Sequence, residues 1–273
     1  IIIAVTAEQH NYLVTATNIE DEWSEPIYLN SAGFDPSLFH DEDGKKYLTN
    51  MVWDARLNQH PFYGISLQEY DHEKRSLVGE RKIIFKGTNA KLTEAPHVYK
   101  INDYYYLLTA EGGTRYDHRA TIARSSSIDG PYELSPHNPL ITGFFTPDEV
   151  LQKAGHASLV QTHTDEWYIA YLVGRPLQDD NKPLLDPRGY CPLGRETAIS
   201  KIEWQDGWPV VVGGNYPREQ VEAPMIEAQA PANPAPGITY FDGELPLDFQ
   251  TLRHSMESFA TQTERPGYLR LIG

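Results

Sequence analysis

The chain repeats one plan three times, and the repeat limits what it can fold into. Each copy has a leading polar residue, a short strand, a polar turn and an aromatic-rich strand. The first is Asp35-Pro36-Ser37-Leu38-Phe39-His40, the turn Asp41-Glu42-Asp43-Gly44, then Lys45-Lys46-Tyr47-Leu48-Thr49. The second is Glu94-Ala95-Pro96-His97-Val98-Tyr99, the turn Lys100-Ile101-Asn102-Asp103, then Tyr104-Tyr105-Tyr106-Leu107-Leu108. The third is His156-Ala157-Ser158-Leu159-Val160, a turn over 161–166, then Trp167-Tyr168-Ile169-Ala170-Tyr171. Turn residues between β-branched and aromatic flanks make each copy a β-hairpin. The leading residues Asp35, Glu94 and His156 stand 59 and 62 positions apart. Further strand pairs lie between them, 63–69 with 81–85 and 120–125 with 131–134. About four strands per repeat is the content of a propeller blade. Convincing helical periodicity is missing almost throughout. The expected fold is therefore all-β and a propeller.

In a propeller the innermost strand of each blade faces a central axis. Asp35, Glu94 and His156 each open the first strand of their repeat, so two carboxylates and an imidazole are expected around one pocket. Taken singly, each has a plainer reading: Asp-Pro is a common turn, and a lone histidine is often a satisfied core residue. Their shared phase argues against coincidence. Arg195 heads another strand, 194–199, paired with 208–211 across Gln205-Asp206-Gly207. It faces the same axis or pairs at the surface with Glu196 or a neighbour.

The Pro/Ala-rich stretch 222–237 reads as an extended linker. Segments at 241–243 and 249–252 then start something new, and 268–271 is a strand. The expected organisation is a partial propeller over 1–221, the linker, and the beginning of a second β-domain over 238–273. Ile1-Ile2-Ile3-Ala4-Val5-Thr6 reads as the middle of a strand. The chain is thus expected to start inside its first domain and stop inside its second.

Charge narrows the partners. With 23 Lys and Arg against 38 Asp and Glu, the net charge is −15, which excludes a nucleic acid bound through phosphate contacts. A neutral substrate suits such a chain. Its 17 Tyr and 5 Trp serve mostly as strand packing, but aromatic rings also stack on sugar faces. Cys191 is the only cysteine, so there is neither an internal disulfide framework nor a cysteine zinc site. No segment has the length of a membrane span. Two carboxyl groups across an aromatic pocket are the minimal kit for glycoside hydrolysis: one must stay protonated, which burial and a charged neighbour both favour. Neither His-Glu-x-x-His nor calcium-loop spacing is present, so a catalytic metal is not expected.

At these residues the chain resembles glycoside hydrolase family 43, and within it the β-xylosidases. The resemblance rests on Gly33-Phe34-Asp35-Pro36-Ser37-Leu38-Phe39, Ile84-Phe85-Lys86-Gly87-Thr88, Leu92-Thr93-Glu94, Thr109-Ala110-Glu111-Gly112-Gly113-Thr114, Lys153-Ala154-Gly155-His156-Ala157-Ser158 and Leu193-Gly194-Arg195-Glu196-Thr197. It implies a five-bladed β-propeller followed by a β-sandwich, of which this chain would hold about blades three to five, the end of blade two and the start of the sandwich. It also implies release of xylose from the non-reducing end of xylo-oligosaccharides with inversion.

On that resemblance Glu94 falls on the general acid. Asp35 falls on the carboxylate that raises the acid's pKa and orients it. Arg195 falls on the residue that binds sugar hydroxyls, and Trp53 and Phe62 fall near the aromatics lining the substrate. His156 falls on the axial histidine, which in some relatives orders a structural calcium through water. No cofactor is required. The implied partner is a xylo-oligosaccharide, with no nucleic acid and no membrane. The whole protein is expected to be a cytoplasmic homo-oligomer.

Two departures stand out. The family's general base, an Asp on the first blade, has no counterpart here, nor has a subsite-forming Trp of the second blade. Ala95 also stands where the family usually has Gly after the acid. An α-L-arabinofuranosidase of the same fold and an inactive carbohydrate-binding propeller fragment remain as alternative readings.

Overall fold

The computed structural model describes residues 2–177, 188–225, 260–261 and 270–271. The chain divides into two compact units, 1–226 and 227–273. Four antiparallel sheets make up the first. Sheet one holds β1 (Ile2–Ala7), β2 (His10–Thr15) and β3 (Ile27–Asn30). Sheet two holds β4 (Gly33–His40), β5 (Lys46–Trp53), β6 (Phe62–Asp71) and β7 (Ser76–Phe85). Sheet three runs from β8 (Glu94–Ile101) through β9 (Tyr104–Glu111) and β10 (Arg119–Ser125) to β11 (Glu133–Leu134), with β12 (Ile141–Thr142) also on β10. Sheet four holds β13 (Gln152–Gln161), β14 (Trp167–Gly174), β15 (Glu196–Gln205) and β16 (Trp208–Val211).

In every sheet the strands pair in chain order, so each sheet is a meander. The first strands β1, β4, β8 and β13 pack against one another in that order. This is the propeller-like arrangement that the repeat predicts. The described residues hold four such sheets, the first with three strands, rather than the five blades of the expected ring.

The second unit is described only as β17 (Ala260–Thr261) paired antiparallel with β18 (Arg270–Leu271). The expected linker beyond residue 225 and the segments at 241–243 and 249–252 lie outside the described residues. So does the sandwich they were to begin.

Side-chain alternation builds the core between sheets. On β9, Leu107 packs toward sheet two with Met51, Ile65 and Val98, while Tyr106 and Leu108 pack toward sheet four with Ile122, Ile169 and Tyr171. Leu48 of β5 turns the other way, onto Leu13, Leu29 and Tyr70. Strands covered on both faces read as near-continuous apolar runs, whatever their pairing direction. The outermost β7 instead exposes Glu80, Arg81 and Lys82, charges that keep an open edge from pairing with other chains.

Turn chemistry sets the register. Asp206 and Gly207 at φ 51° and 74° close β15 onto β16, and Asn102 at φ 53° closes β8 onto β9. Positive φ at these positions is what tight hairpins require.

Candidate active site

The inner strands of sheets two, three and four each carry a β-bulge at the same level. The ladder slips between Phe34 and Ser37 on β4, between Glu94 and His97 on β8, and between Gly155 and Ser158 on β13. Each bulge contains one residue in the left-handed region: Asp35 at φ 53°, Ala95 at φ 49° and His156 at φ 49°. A bulge adds one residue and re-aims the side chains beside it.

The equivalent positions are therefore Asp35, Ala95 and His156, spaced 60 and 61 residues apart, and this corrects the expected phase of the repeat. Glu94 stands one residue earlier, level with Phe34 and Gly155. Among the three, it alone opens its strand. Asp and His tolerate left-handed backbone better than most residues, and Ala gains nothing there. Glycine would adopt that conformation freely.

The offset lets strands β4 and β8 clasp. The Ala95 N–H donates to Asp35 Oδ2 at 3.0 Å. Ser37 Oγ and His97 Nδ1 are hydrogen-bonded at 3.1 Å between the same strands. The Leu159 N–H donates to Tyr99 Oη at 2.9 Å, tying β13 to β8. Around the axis lies a cavity of about 340 Å³, lined by Thr6, Asp35, Ser37, His97 and His156 among others. Sequence reasoning missed His97, although Pro-His-Val in the second repeat matches Pro-Ser-Leu in the first.

Glu94 is 9% exposed. Burial first, and the Asp35 charge second, push its carboxyl up to about 7, against a smaller opposite pull from Arg195. Burial also raises Asp35, opposed by His156, by the Ala95 N–H and by Arg195. His156 is lowered by burial and by Arg195, and raised by Asp35. His97 is pushed down to about 4, by burial and then by His156. Near pH 7 the axis therefore presents a neutral His97 and a Glu94 poised to hold its proton.

Arg195 sits just before β15 and lines a second cavity, of about 500 Å³, with Arg115, Lys153, Gly189 and Tyr190. Its charge is felt at Glu94, Asp35 and His156, where it favours the carboxylates' charged forms and disfavours the imidazolium. The surface pairing with Glu196 does not form, because Glu196 is held by Arg175.

Trp53 and Phe62 meet at a centroid distance of 5.2 Å, and both pack on Phe34, at 5.2 and 5.8 Å. The aromatic pair expected from the sequence is thus a trio, joined to the site through Phe34, the residue before Asp35. Trp53 is 47% exposed, which leaves part of its ring open to solvent.

Among the described residues no group of three His, Cys, Asp or Glu side chains is placed to hold a metal.

Two carboxyl groups, Asp35 and Glu94, thus stand at the bulged inner strands of a propeller-like array of sheets. The model of the glycosyl hydrolases family 43 matches residues 1–209. A β-xylosidase of Bacillus subtilis is 56% identical over 97% of this chain and 50% of its own length. A xylosidase/arabinosidase 43B of Humicola insolens is 46% identical over 96% of this chain and 47% of its own. The crystal structure of a xylan β-1,4-xylosidase from Bacillus halodurans superposes with a TM-score of 0.79 at 54% identity, covering 96% of this chain and 49% of that one. The chain belongs to glycoside hydrolase family 43. It spans about half the length of the curated relatives it matches.

Proposed function

We propose that the protein carrying this chain is a glycosidase that releases xylose from the non-reducing end of xylo-oligosaccharides. Glu94 donates the proton to the leaving oxygen. Asp35 keeps that proton on Glu94 at neutral pH and orients the carboxyl, Arg195 holds sugar hydroxyls, and the Trp53–Phe62–Phe34 face stacks on the ring.

The observation that carries this reading is the clasp itself: a buried carboxyl, Glu94, whose neighbouring N–H binds a second carboxylate, Asp35. Asp35 spends one oxygen on that N–H. Inversion needs a separate carboxylate about 6.5–9.5 Å from the acid, with water between. We assign that base to residues outside this chain, on the blade that would complete a five-bladed ring. A β-sandwich following the propeller belongs to the same proposal.

Turnover of xylobiose by the full-length gene product, compared with Glu94→Ala, tests this. A loss of about 10²–10⁴-fold in kcat is expected, and unchanged turnover removes Glu94 from the role. A preference for α-L-arabinofuranosides is the second reading, favoured by the likeness to the 46% identical xylosidase/arabinosidase of Humicola insolens. The ratio of kcat/KM on nitrophenyl xyloside and nitrophenyl arabinofuranoside decides between them.

A further inference from the structure

We infer that Glu111 is a positioning residue for the acid: its carboxylate fixes the backbone that enters Glu94 and so aims that side chain at the leaving oxygen. The inference rests on the proposed role of Glu94. It concerns a buried acidic residue that lies outside the axial cavity.

Glu111 ends β9 and is fully buried. On the paired strands its neighbour Ala110 stands opposite Glu94. Four donors converge on the carboxylate, two on each oxygen. Thr88 N–H (2.6 Å) and Thr93 Oγ1 (2.9 Å) reach Oε1, while Thr88 Oγ1 (2.8 Å) and Thr121 Oγ1 (2.6 Å) reach Oε2. Thr88 Oγ1 also accepts from the Ala90 N–H, so its own proton is left for Glu111. Three of the four bonds come from the loop over residues 87–93, and the last of its donors, Thr93, immediately precedes Glu94.

The loop does not hold its shape on its own preferences. Lys91 and Leu92 are both left-handed, at φ 62° and 54°, a conformation that non-glycine residues adopt only when their surroundings over-determine it. Gly87 wraps so closely that a Cβ there would lie 1.8 Å from Thr93 Oγ1 and 2.6 Å from Glu111 Oε1. The Gly112 N–H closes the arrangement on Lys91 O at 2.9 Å. Remove the carboxylate's grip on Thr93 and the strained segment can relax into the acid.

A misplaced acid and a merely loosened fold differ in which substrates suffer. An aryl xyloside with a leaving group as acidic as dinitrophenol departs without protonation, whereas xylobiose needs the acid. The experiment measures kcat and KM of the full-length gene product on both substrates, for wild type, Glu111→Gln, Thr93→Ala, Thr93→Ser and Glu94→Ala.

Glu111→Gln and Thr93→Ala are expected to lose about tenfold or more in kcat on xylobiose, because small misplacements of a catalytic group are costly. On dinitrophenyl xyloside they should lose less than about twofold, with KM little changed, and Thr93→Ser, which keeps the hydroxyl, should restore most of the loss. Equal losses on both substrates, or none with Thr93→Ala, overturn the inference. Should Glu111→Gln fail to fold, Thr93→Ala still decides. If Glu94→Ala itself fails to discriminate between leaving groups, the acid's assignment is what fails, and the inference falls with it.

Discussion

The Ala95 N–H and the Asp35 carboxylate are joined by a 3.0 Å hydrogen bond that reaches across 60 residues and from one sheet to the next. Asp35 therefore does two things to Glu94. Its charge raises the acid's pKa, and its bond to the following residue fixes the backbone from which the acid side chain leaves.

The two charges nearest the acid act on it in opposite directions, and this can be read in pH profiles. Asp35 raises Glu94 and Arg195 lowers it. Activity that needs a protonated Glu94 falls as pH rises through about 7. Asp35→Asn should move that basic limb to lower pH, though not to the ordinary carboxylate range, since burial is the larger cause. Arg195→Met should move it to higher pH, and should also raise KM if the guanidinium binds sugar. Added salt should shrink the Arg195 effect more, because the arginine is exposed and Glu94 is not. Limbs that move in the same direction in both variants would contradict the arrangement.

The same raised pKa is a stability cost. The folded protein holds the Glu94 proton up to about 7, whereas the unfolded chain releases it near 4.5. Stability from this group is thus lost as pH rises from about 4.5 to about 7, and the cost is constant above that. Glu94→Gln removes it. We expect the variant to be more stable than wild type at pH 8, by up to about 2–3 kcal/mol, and no more stable at pH 4. Urea midpoints at the two values check both the sign and the pH window.

Buried imidazoles should make the fold sensitive to acid. His97 and His118 are each held down to about 4, chiefly by burial. In His118, Nδ1 is bonded to the Lys153 carbonyl at 2.9 Å and Nε2 has no partner. As pH falls below about 6.5 the unfolded chain takes up protons that these folded groups refuse, so stability is lost from there down to about 4. His118→Met should cost stability at pH 7.5, because the ring packs against Gly155. That deficit should narrow toward pH 4. A deficit of constant size would remove His118 from the acid response.

Much of this was legible before any coordinates. Asp41–Gly44, Asn102 and Asp206-Gly207 name their turns, and the repeat of about 60 residues with some four strands each gives the blades. The pair Asp35 and Glu94 stood out as the one carboxylate couple at the heads of repeats. The phase of Glu94 was lost because a bulge inserts a residue without changing composition. Aligning Pro36 with Pro96, rather than the two acids, would have found it. Glu111 was visible only as part of the Ala-Glu-Gly-Gly-Thr motif. Its importance comes from four hydroxyl and amide donors that meet only after folding. The aromatic trio was two-thirds visible, because Phe34 reads as an ordinary strand residue until the bulge turns Asp35 to the axis beside it.

Position 95 decides whether the bulge or its side chain matters. Ala95 is 3% exposed and sits at φ 49°, with its N–H spent on Asp35. Ala95→Gly keeps that N–H and removes the left-handed strain. The gain is offset by a lost methyl, about 0.8 kcal/mol, and by a more flexible unfolded chain, about 0.4–1 kcal/mol. Stability should therefore stay within about 1 kcal/mol of wild type, and kcat should be nearly unchanged. Ala95→Val is a different case. A β-branched residue at positive φ is strongly disfavoured. The backbone must leave the left-handed region, which breaks the bond to Asp35 and turns the Glu94 carboxyl away. A fall in kcat of about 10²-fold or more is expected. If Val is tolerated with activity intact, the clasp between residues 35 and 95 is not what orients the acid.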